Sequence, residues 1–97
     1  MSRLAVAAYP LTVYYDATCP LCVAEMGAMR ARDTAGRLHL VDCSPLGFCT
    51  GPAPREALMT AMHAADASGR VLSGVAATRA CRAAVVMPAG SALLDLP

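Results

Sequence analysis

Cys19 and Cys22 are the residues of this sequence whose type and spacing most clearly suggest chemistry. They are separated by two residues in the stretch "YYDATCPLCVAEM", directly behind an apolar run. Two thiols at this spacing can close into a reversible disulfide, provide half of a zinc site, or lie as two small buried hydrophobes. Which of these applies depends on the elements that hold them.

The other cysteines and the histidines bear on the zinc alternative. A four-cysteine site needs a second close pair, and Cys43 and Cys49 are the candidates for it. Their spacing is wider than the usual separation of about two to four intervening residues, so such a site requires a folded-back loop, or His39 or His63 as a ligand. Zinc is therefore the weaker alternative, and no metal is expected.

The three cysteines outside the pair are expected to have simpler roles. Five cysteines cannot all pair within one chain, which argues against a purely structural disulfide framework. Cys43 follows a predicted strand and Cys81 lies on an apolar helix face, so both are expected to be small buried hydrophobes. Cys49 lies in a loop rich in glycine and proline, where it is either a third redox thiol or a tolerated exposed residue.

The composition is that of a small, nearly neutral domain. The chain has 97 residues, 57% of them apolar, and a formal charge of +1. We expect a single domain over residues 1–97 with its core at about 11–88. The charge does not favour nucleic-acid binding, and no apolar run approaches the roughly 18 residues of a membrane span. The N-terminal apolar stretch is too short for a signal peptide, so we expect a cytoplasmic protein without membrane binding.

The residues on either side of the cysteine pair predict a strand and a helix. Leu11–Tyr15 is rich in β-branched and aromatic residues, which predicts a strand. Pro20 suits the first turn of a helix, because its missing N–H would have no partner there. Cys22, Met26 and Met29 recur at helical spacing and so share one face.

The rest of the chain predicts further alternation of strands and helices. Gly36 is expected to end the first helix, and Ala77, Ala80, Cys81 and Ala84 share one face of the last. The predicted segments are a strand at 37–42, a loop at 43–54, a helix at 54–60, an ambiguous stretch at 61–65, a turn at 66–69, a strand at 71–73 and a helix at 75–87 stopped by Pro88. This βαβ order followed by ββα predicts an α/β fold, a mixed four-stranded sheet flanked by helices in the thioredoxin arrangement.

In this arrangement the cysteine pair lies between the first strand and its helix. Cys19 is expected at the helix N-cap, where free backbone N–H groups and the positive end of the dipole stabilise a thiolate and lower the pKa of the thiol. Cys19 is then the attacking nucleophile. Cys22, one turn inside the helix, resolves the mixed disulfide.

Four other residues are candidates for supporting roles. Asp16 either caps the helix or accepts the proton of Cys22 when that thiol is activated. Pro20 stiffens the turn, and Leu21 offers an exposed apolar contact to a partner. His63 is either a structural histidine or a group that tunes the Cys19 thiolate electrostatically.

Taken together, these residues resemble a known family. The stretch "YYDATCPLCVAEMGAMRARDTAGRLHLVD" is similar to the opening of the DCC-type thiol-disulfide oxidoreductases, named for an Asp-x-x-Cys-x-x-Cys motif that falls here on Asp16, Cys19 and Cys22. The stretch "REALMTAMHAADASGRVLSGVAAT" is similar to the family's later segment, with a histidine before an acidic turn and then Gly-Arg-Val. The resemblance covers about residues 13–82 and implies a thioredoxin-like fold with dithiol–disulfide exchange.

The sequence departs from that pattern in three places. Ala17 stands where the family usually has glycine, which narrows the backbone options beside the site. Thioredoxins carry a cis-proline facing the cysteine pair, whereas this chain has Met62 and His63 in that region. The C-terminus also ends sooner than the resemblance implies, which leaves both a monomer and a homodimer open.

The function expected from these observations is thiol-disulfide exchange by a Cys19-Pro20-Leu21-Cys22 dithiol. The expected substrate is a small thiol or disulfide, or a protein partner. No organic cofactor is expected, and glutathione or a reductase would supply electrons to the dithiol. The alternative is a non-catalytic binding module in which the cysteine pair belongs to a zinc or partner site.

Overall fold

The structure, a computed structural model, describes residues 7–86 of the chain. It contains four strands and three helices: β1 (Leu11–Tyr15), α1 (Pro20–Arg32), β2 (Leu38–Asp42), α2 (Arg55–Thr60), β3 (His63–Ala65), β4 (Val71–Ser73) and α3 (Val75–Val86). The predicted order of elements is confirmed. The predicted end of the last helix at Met87 and Pro88 lies outside the described residues.

The four strands form one mixed sheet in the order β2-β1-β3-β4. β1 pairs with β2 in parallel, from Leu11 opposite Leu38 to Tyr15 opposite Asp42. β3 is antiparallel to β1, and β4 is antiparallel to β3. The predicted α/β fold with a mixed four-stranded sheet is confirmed, and the arrangement is thioredoxin-like.

The main core lies between the sheet and the two long helices. Leu11 and Val13, on alternate positions of β1, are fully buried on one face of the sheet. They belong to one apolar cluster with buried residues of α1 (Met26 and Met29) and of α3 (Ala77, Ala80 and Cys81). The predicted inward faces of both helices are confirmed, because alternation along β1 places its odd-numbered side chains toward them.

The opposite face of the sheet is covered by α2 and the loop before it. Tyr14 points to this face and makes an edge-to-face contact with Phe48, the ring centroids lying 6.2 Å apart. Leu58 of α2 is 2% exposed, and a Cβ added at Gly51 would come within 2.6 Å of its side chain. A side chain at position 51 would therefore require Leu58 to shift where the loop passes over α2.

Helix α1 ends four residues before the glycine expected to stop it. Asp33 is the C-cap residue, and its backbone N–H donates to Arg30 O at 3.1 Å. Its two carboxylate oxygens accept hydrogen bonds from Arg37 N at 2.8 Å and Leu38 N at 2.9 Å. The Asp33 side chain thus links the end of α1 to the start of β2. Gly36, with a φ of +68°, makes the turn between these two elements.

The segment that the sequence left ambiguous is resolved as the end of α2 and the short strand β3. Ala61 is extended and closes α2, and the pairing of Ala64 with Val13 places Ala64 in the core. None of the helices within residues 7–86 is long and apolar enough to cross a membrane.

The turn between β3 and β4 is organised by the buried carboxylate of Asp66. This residue is 8% exposed and accepts hydrogen bonds from Ala8 N at 3.1 Å, Ser68 N at 2.9 Å and Arg70 N at 3.0 Å, and from the Ser68 hydroxyl at 2.7 Å. Burial raises the pKa of the Asp66 carboxyl, but these hydrogen bonds outweigh it and hold the pKa below its usual value of 3.8. One side chain therefore joins the segment before β1 to the β3–β4 turn.

We predict that Asp66→Ala lowers the free energy of unfolding by about 1–3 kcal/mol, because it leaves several backbone N–H groups without their acceptor. The lowered pKa means that the carboxylate stabilises the native state above its unfolded pKa and loses this effect as pH falls through the folded pKa. The difference between the wild type and Asp66→Ala in urea denaturation should shrink over that acidic range. Glu56→Ala, which removes an exposed carboxylate, should cost less than about 1 kcal/mol. An equal cost for both variants would contradict the assignment.

Candidate active site

Cys19 occupies the N-cap of α1. Its backbone is extended, with φ −93° and ψ 112°, and its sulfur accepts a hydrogen bond from Cys22 N at 3.4 Å. Its own N–H donates to Asp16 O at 3.2 Å, and its carbonyl accepts from Val23 N at 3.0 Å. The sulfur thus satisfies one of the N–H groups that a helix leaves free at its start, as the sequence predicts.

The remaining residues of the motif take the positions expected from helix geometry. Pro20 is the first residue of α1, and Leu21 is 78% exposed. Cys22 is half-buried, one turn into the helix, above the buried side chain of Met26. The structure therefore brings the two thiols together and leaves an apolar side chain exposed beside them.

The two thiols differ in acidity because their interaction favours the charged form of Cys19 and the neutral form of Cys22. Hydrogen bonds from the Cys22 side chain and from the Cys22 backbone N–H lower the pKa of Cys19 below its ordinary value of 9.0. The same side-chain contact with Cys19, together with burial and the charges of Cys19, Asp16 and Glu25, raises the pKa of Cys22 to about 11. This arrangement shifts Cys19 toward the thiolate and Cys22 toward the neutral thiol.

Asp16 holds the turn before the helix and does not cap the helix itself. Its Oδ1 accepts hydrogen bonds from Thr18 N at 2.8 Å and from the Thr18 hydroxyl. The carboxylate also lines the pocket next to Cys22. One of the two roles predicted for Asp16, that of helix cap, is wrong. The N-cap residue is Cys19, and its sulfur accepts the Cys22 N–H.

Asp42, which the sequence analysis did not single out, joins the site to the neighbouring loop. Its Oδ1 accepts from Ala17 N at 3.0 Å and from Ser44 N at 2.9 Å. The hydrogen bonds to Ser44, with that from Ala17, lower the pKa of the Asp42 carboxyl. A carboxylate at the end of β2 had to lie beside the end of β1, because the carboxyl ends of parallel strands meet at one edge of a sheet.

The departures from the family pattern are accommodated locally. Ala17 has a negative φ, as does every other non-glycine residue within 7–86, so no left-handed backbone is required there. Met62 precedes β3, in the region where thioredoxins have a proline. Its carbonyl accepts from Gly74 N at 2.9 Å, and the residue lines the pocket beside Cys22.

A pocket of about 150 Å³ opens beside Cys22, between α1 and α2. Its polar lining includes the carboxyl-bearing residues Asp16 and Glu25, and its apolar lining includes Met59 and Met62. Glu25 was missed by the sequence analysis, although its position three residues after Cys22 places both on one side of the helix. The resolving thiol thus adjoins a small cavity that combines apolar walls with two acidic groups.

The histidine predicted to support the site lies on the other side of the sheet. His63 pairs with Tyr14, and directly opposed residues share a face, so it lies on the face opposite to α1. Its Nδ1 is 2.8 Å from Ala61 O. The structure therefore does not group His63 with the cysteines, and its influence on Cys19 stays a prediction.

The three other cysteines are free thiols in different environments. Cys43 and Cys81 are fully buried, which confirms their prediction as small core residues, and Cys49 is exposed. Burial raises the pKa of Cys43, and it raises that of Cys81 to about 11 with a further contribution from Glu25. Within residues 7–86 no three histidine, cysteine or acidic side chains are grouped so that they could hold a metal ion.

Comparison with known protein families identifies the family of the chain. A family model described as DCC1-like thiol-disulfide oxidoreductase matches residues 13–97, which confirms the family inferred from the motif. The match extends beyond the segment of about residues 13–82 on which that resemblance rests. No curated protein and no solved structure matches the chain significantly.

We predict that Cys22→Ala raises the pKa of Cys19, because it removes the side-chain donor that contributes most to lowering it. The rate of iodoacetamide alkylation against pH, with the modified peptide identified by mass spectrometry, measures this pKa. Cys49→Ser is used as the background to remove the exposed thiol. Cys22→Ser is the matched control: it keeps a donor and should raise the pKa less. Identical profiles for Cys22→Ala and its background would contradict the described effect of the Cys22 side chain on Cys19.

Proposed function

Because the chain belongs to the DCC1-like thiol-disulfide oxidoreductase family, we propose that its Cys19–Cys22 dithiol exchanges disulfides with a small thiol or a protein partner. One observation carries this proposal: the Cys19 sulfur lies at the N-cap of α1 and accepts the Cys22 N–H. That position favours the thiolate, which is the reactive form in disulfide exchange. The raised pKa of Cys22 keeps the second thiol protonated during the first attack.

In the proposed reaction Cys19 is the nucleophile and Cys22 the resolving residue. The Cys19 thiolate attacks one sulfur of a partner disulfide, forming a mixed disulfide and releasing the other partner sulfur as a thiolate. Cys22 loses its proton and attacks the Cys19 sulfur, which forms the Cys19–Cys22 disulfide and breaks the bond to the partner. Two electrons pass from the protein dithiol to the partner disulfide, and the reverse sequence oxidises a partner dithiol.

The other residues of the motif are proposed to support this exchange. Asp16 holds the turn that presents Cys19, through its hydrogen bonds to Thr18. Pro20 fixes the backbone of the first helical residue, and the exposed Leu21 provides an apolar contact for the partner. His63 is proposed to act only through its charge, since it lies on the opposite face of the sheet.

The reaction requires no organic cofactor or metal in this scheme, since the electrons reside in the dithiol itself. Glutathione or a reductase would restore the reduced form after oxidation by a partner. The five free thiols suit a reducing compartment such as the cytoplasm, where disulfides are rare.

We predict that Cys19 and Cys22 oxidise together in a glutathione redox titration, in a single two-electron transition. Thiol trapping at each ratio of reduced to oxidised glutathione, followed by peptide mass spectrometry, identifies the cysteines that change. Cys43 and Cys81 should remain reduced, because both are fully buried. The midpoint distinguishes a reductant from an oxidant, since about 30 mV corresponds to a tenfold change in the equilibrium constant.

Single-cysteine variants complete this test. Cys22→Ser should accumulate a mixed disulfide with glutathione on Cys19, because the resolving sulfur is absent. Cys19→Ser should accumulate less on Cys22, because burial and the charges of Asp16 and Glu25 still raise the pKa of that thiol. If neither cysteine titrates, or if bound zinc is released as they oxidise, the enzyme proposal fails and the domain is a binding module.

A further inference from the structure

The resolving thiol needs a base, because its environment disfavours ionisation. Cys22 is half-buried and adjoins a pocket of about 150 Å³ whose walls include two carboxyl-bearing residues, Asp16 and Glu25. A group that accepts a proton in a reaction has to lie within reach of the atom that loses it, directly or through one water. The pocket therefore restricts the choice to these two carboxylates among its lining residues.

We infer that Glu25 accepts the proton of Cys22 when Cys22 attacks the mixed disulfide on Cys19. This inference rests on the proposed exchange activity and deepens it. Glu25 follows Cys22 by three residues in α1, so their side chains lie on one side of the helix, with Cβ atoms about 5–6 Å apart in such pairs. Both residues line the same pocket, which opens to solvent for the departure of the proton.

Asp16 is less suited to the same task because its carboxylate is already engaged. Its Oδ1 accepts two hydrogen bonds from Thr18, one from the backbone and one from the hydroxyl. Those bonds hold the side chain toward the turn. Asp16 is therefore assigned a positioning role, and Glu25 is the other carboxyl-bearing residue that lines the pocket beside Cys22.

The charged groups around Glu25 leave it available as a base. Arg82 Nη2 of α3 lies 3.8 Å from Glu25 Oε2. The side chain of Arg82 is 65% exposed and that of Glu25 is 42% exposed, so this is a weak ion pair. The charge of Glu25 also contributes to the raised pKa values of Cys22 and Cys81. Asp16 faces the same pocket from the β1–α1 loop, and the lining residues of α2 and the segment after it do not titrate.

The step balances without a further reactant. The Cys22 Sγ–H bond breaks as its proton moves to the Glu25 carboxylate, and the new thiolate attacks Cys19 Sγ. The Cys19–Cys22 bond forms while the bond from Cys19 to the partner sulfur breaks, and the partner leaves as a thiolate. The proton on Glu25 then passes to solvent or to that thiolate.

Rapid mixing of the reduced protein with oxidised glutathione separates the two steps. The first released glutathione reports attack by Cys19, and the second reports resolution by Cys22. Glu25→Gln should slow the second release by at least about tenfold at neutral pH and change the first by less than about threefold. The deficit should shrink as pH rises, because solvent then removes the proton without help from a carboxylate. A merely structural role of Glu25 would not give this pH dependence.

Three further variants isolate the cause. Glu56→Gln makes the same substitution at an exposed glutamate on α2 and should leave both releases unchanged. Arg82→Met breaks the ion pair while keeping the Glu25 carboxylate, and should change the second release by less than about threefold. Asp16→Asn keeps an oxygen acceptor for Thr18 and should slow the second release less than Glu25→Gln does. Equal second releases in Glu25→Gln and the wild type, or a larger effect of Asp16→Asn, would overturn the inference. Absence of the first release in the wild type would instead overturn the proposed function.

Discussion

The parallel pairing of β1 with β2 is the constraint on which the rest of the structure depends. Two parallel neighbours cannot be joined by a tight turn, so the chain must cross from one end of the sheet to the other. Helix α1 makes this crossover, and its start is fixed directly after the carboxyl end of β1. The same pairing places the end of β2 beside the start of the crossover, so that Asp42 accepts hydrogen bonds from both loops. The site therefore lies at the sheet edge where the topology brings two loop starts together.

The start of α1 gives two cysteines of identical chemistry different environments. Cys19 precedes the first helical residue, where a backbone N–H is left free and is satisfied by its sulfur. Cys22 is one turn further on, on the same face of α1 as the buried Met26, and is partly withdrawn from solvent. A spacing of three residues is sufficient for this difference in environment. It places Cys19 at the helix end, where backbone N–H groups lack partners within the helix, and Cys22 in the first turn of the helix.

The elements with a strong local pattern were predictable from the sequence, and the contacts between distant residues were not. The strand at Leu11–Tyr15 and the position of Cys19 at the helix start follow from β-branched residues and from Pro20, and both are confirmed. The bounds of α1 differ because Asp33 accepts two N–H groups from the start of β2, and this contact depends on where β2 lies.

The same limit applies to the acidic residues and to His63. Asp42 and Asp66 become organising residues only through partners brought close by the sheet, 25 and 58 positions away along the chain. The placement of His63 on the opposite face follows from its register with Tyr14, which no local pattern specifies. Glu25 was accessible from the sequence, since its spacing from Cys22 is helical, but its significance depends on the pocket formed with α2.

The interaction between the two thiols also gives the site an order of events. The interaction with the Cys19 side chain and the Cys19 charge are two of the causes that raise the pKa of Cys22 to about 11. Once Cys19 is part of a mixed disulfide, it carries no charge and is a poorer acceptor, so both causes weaken. Burial and the charges of Asp16 and Glu25 then remain. The first bond formed at Cys19 thus lowers the barrier to ionising Cys22 at the stage when Cys22 must attack, and the carboxylates that still oppose ionisation include the group placed to receive its proton.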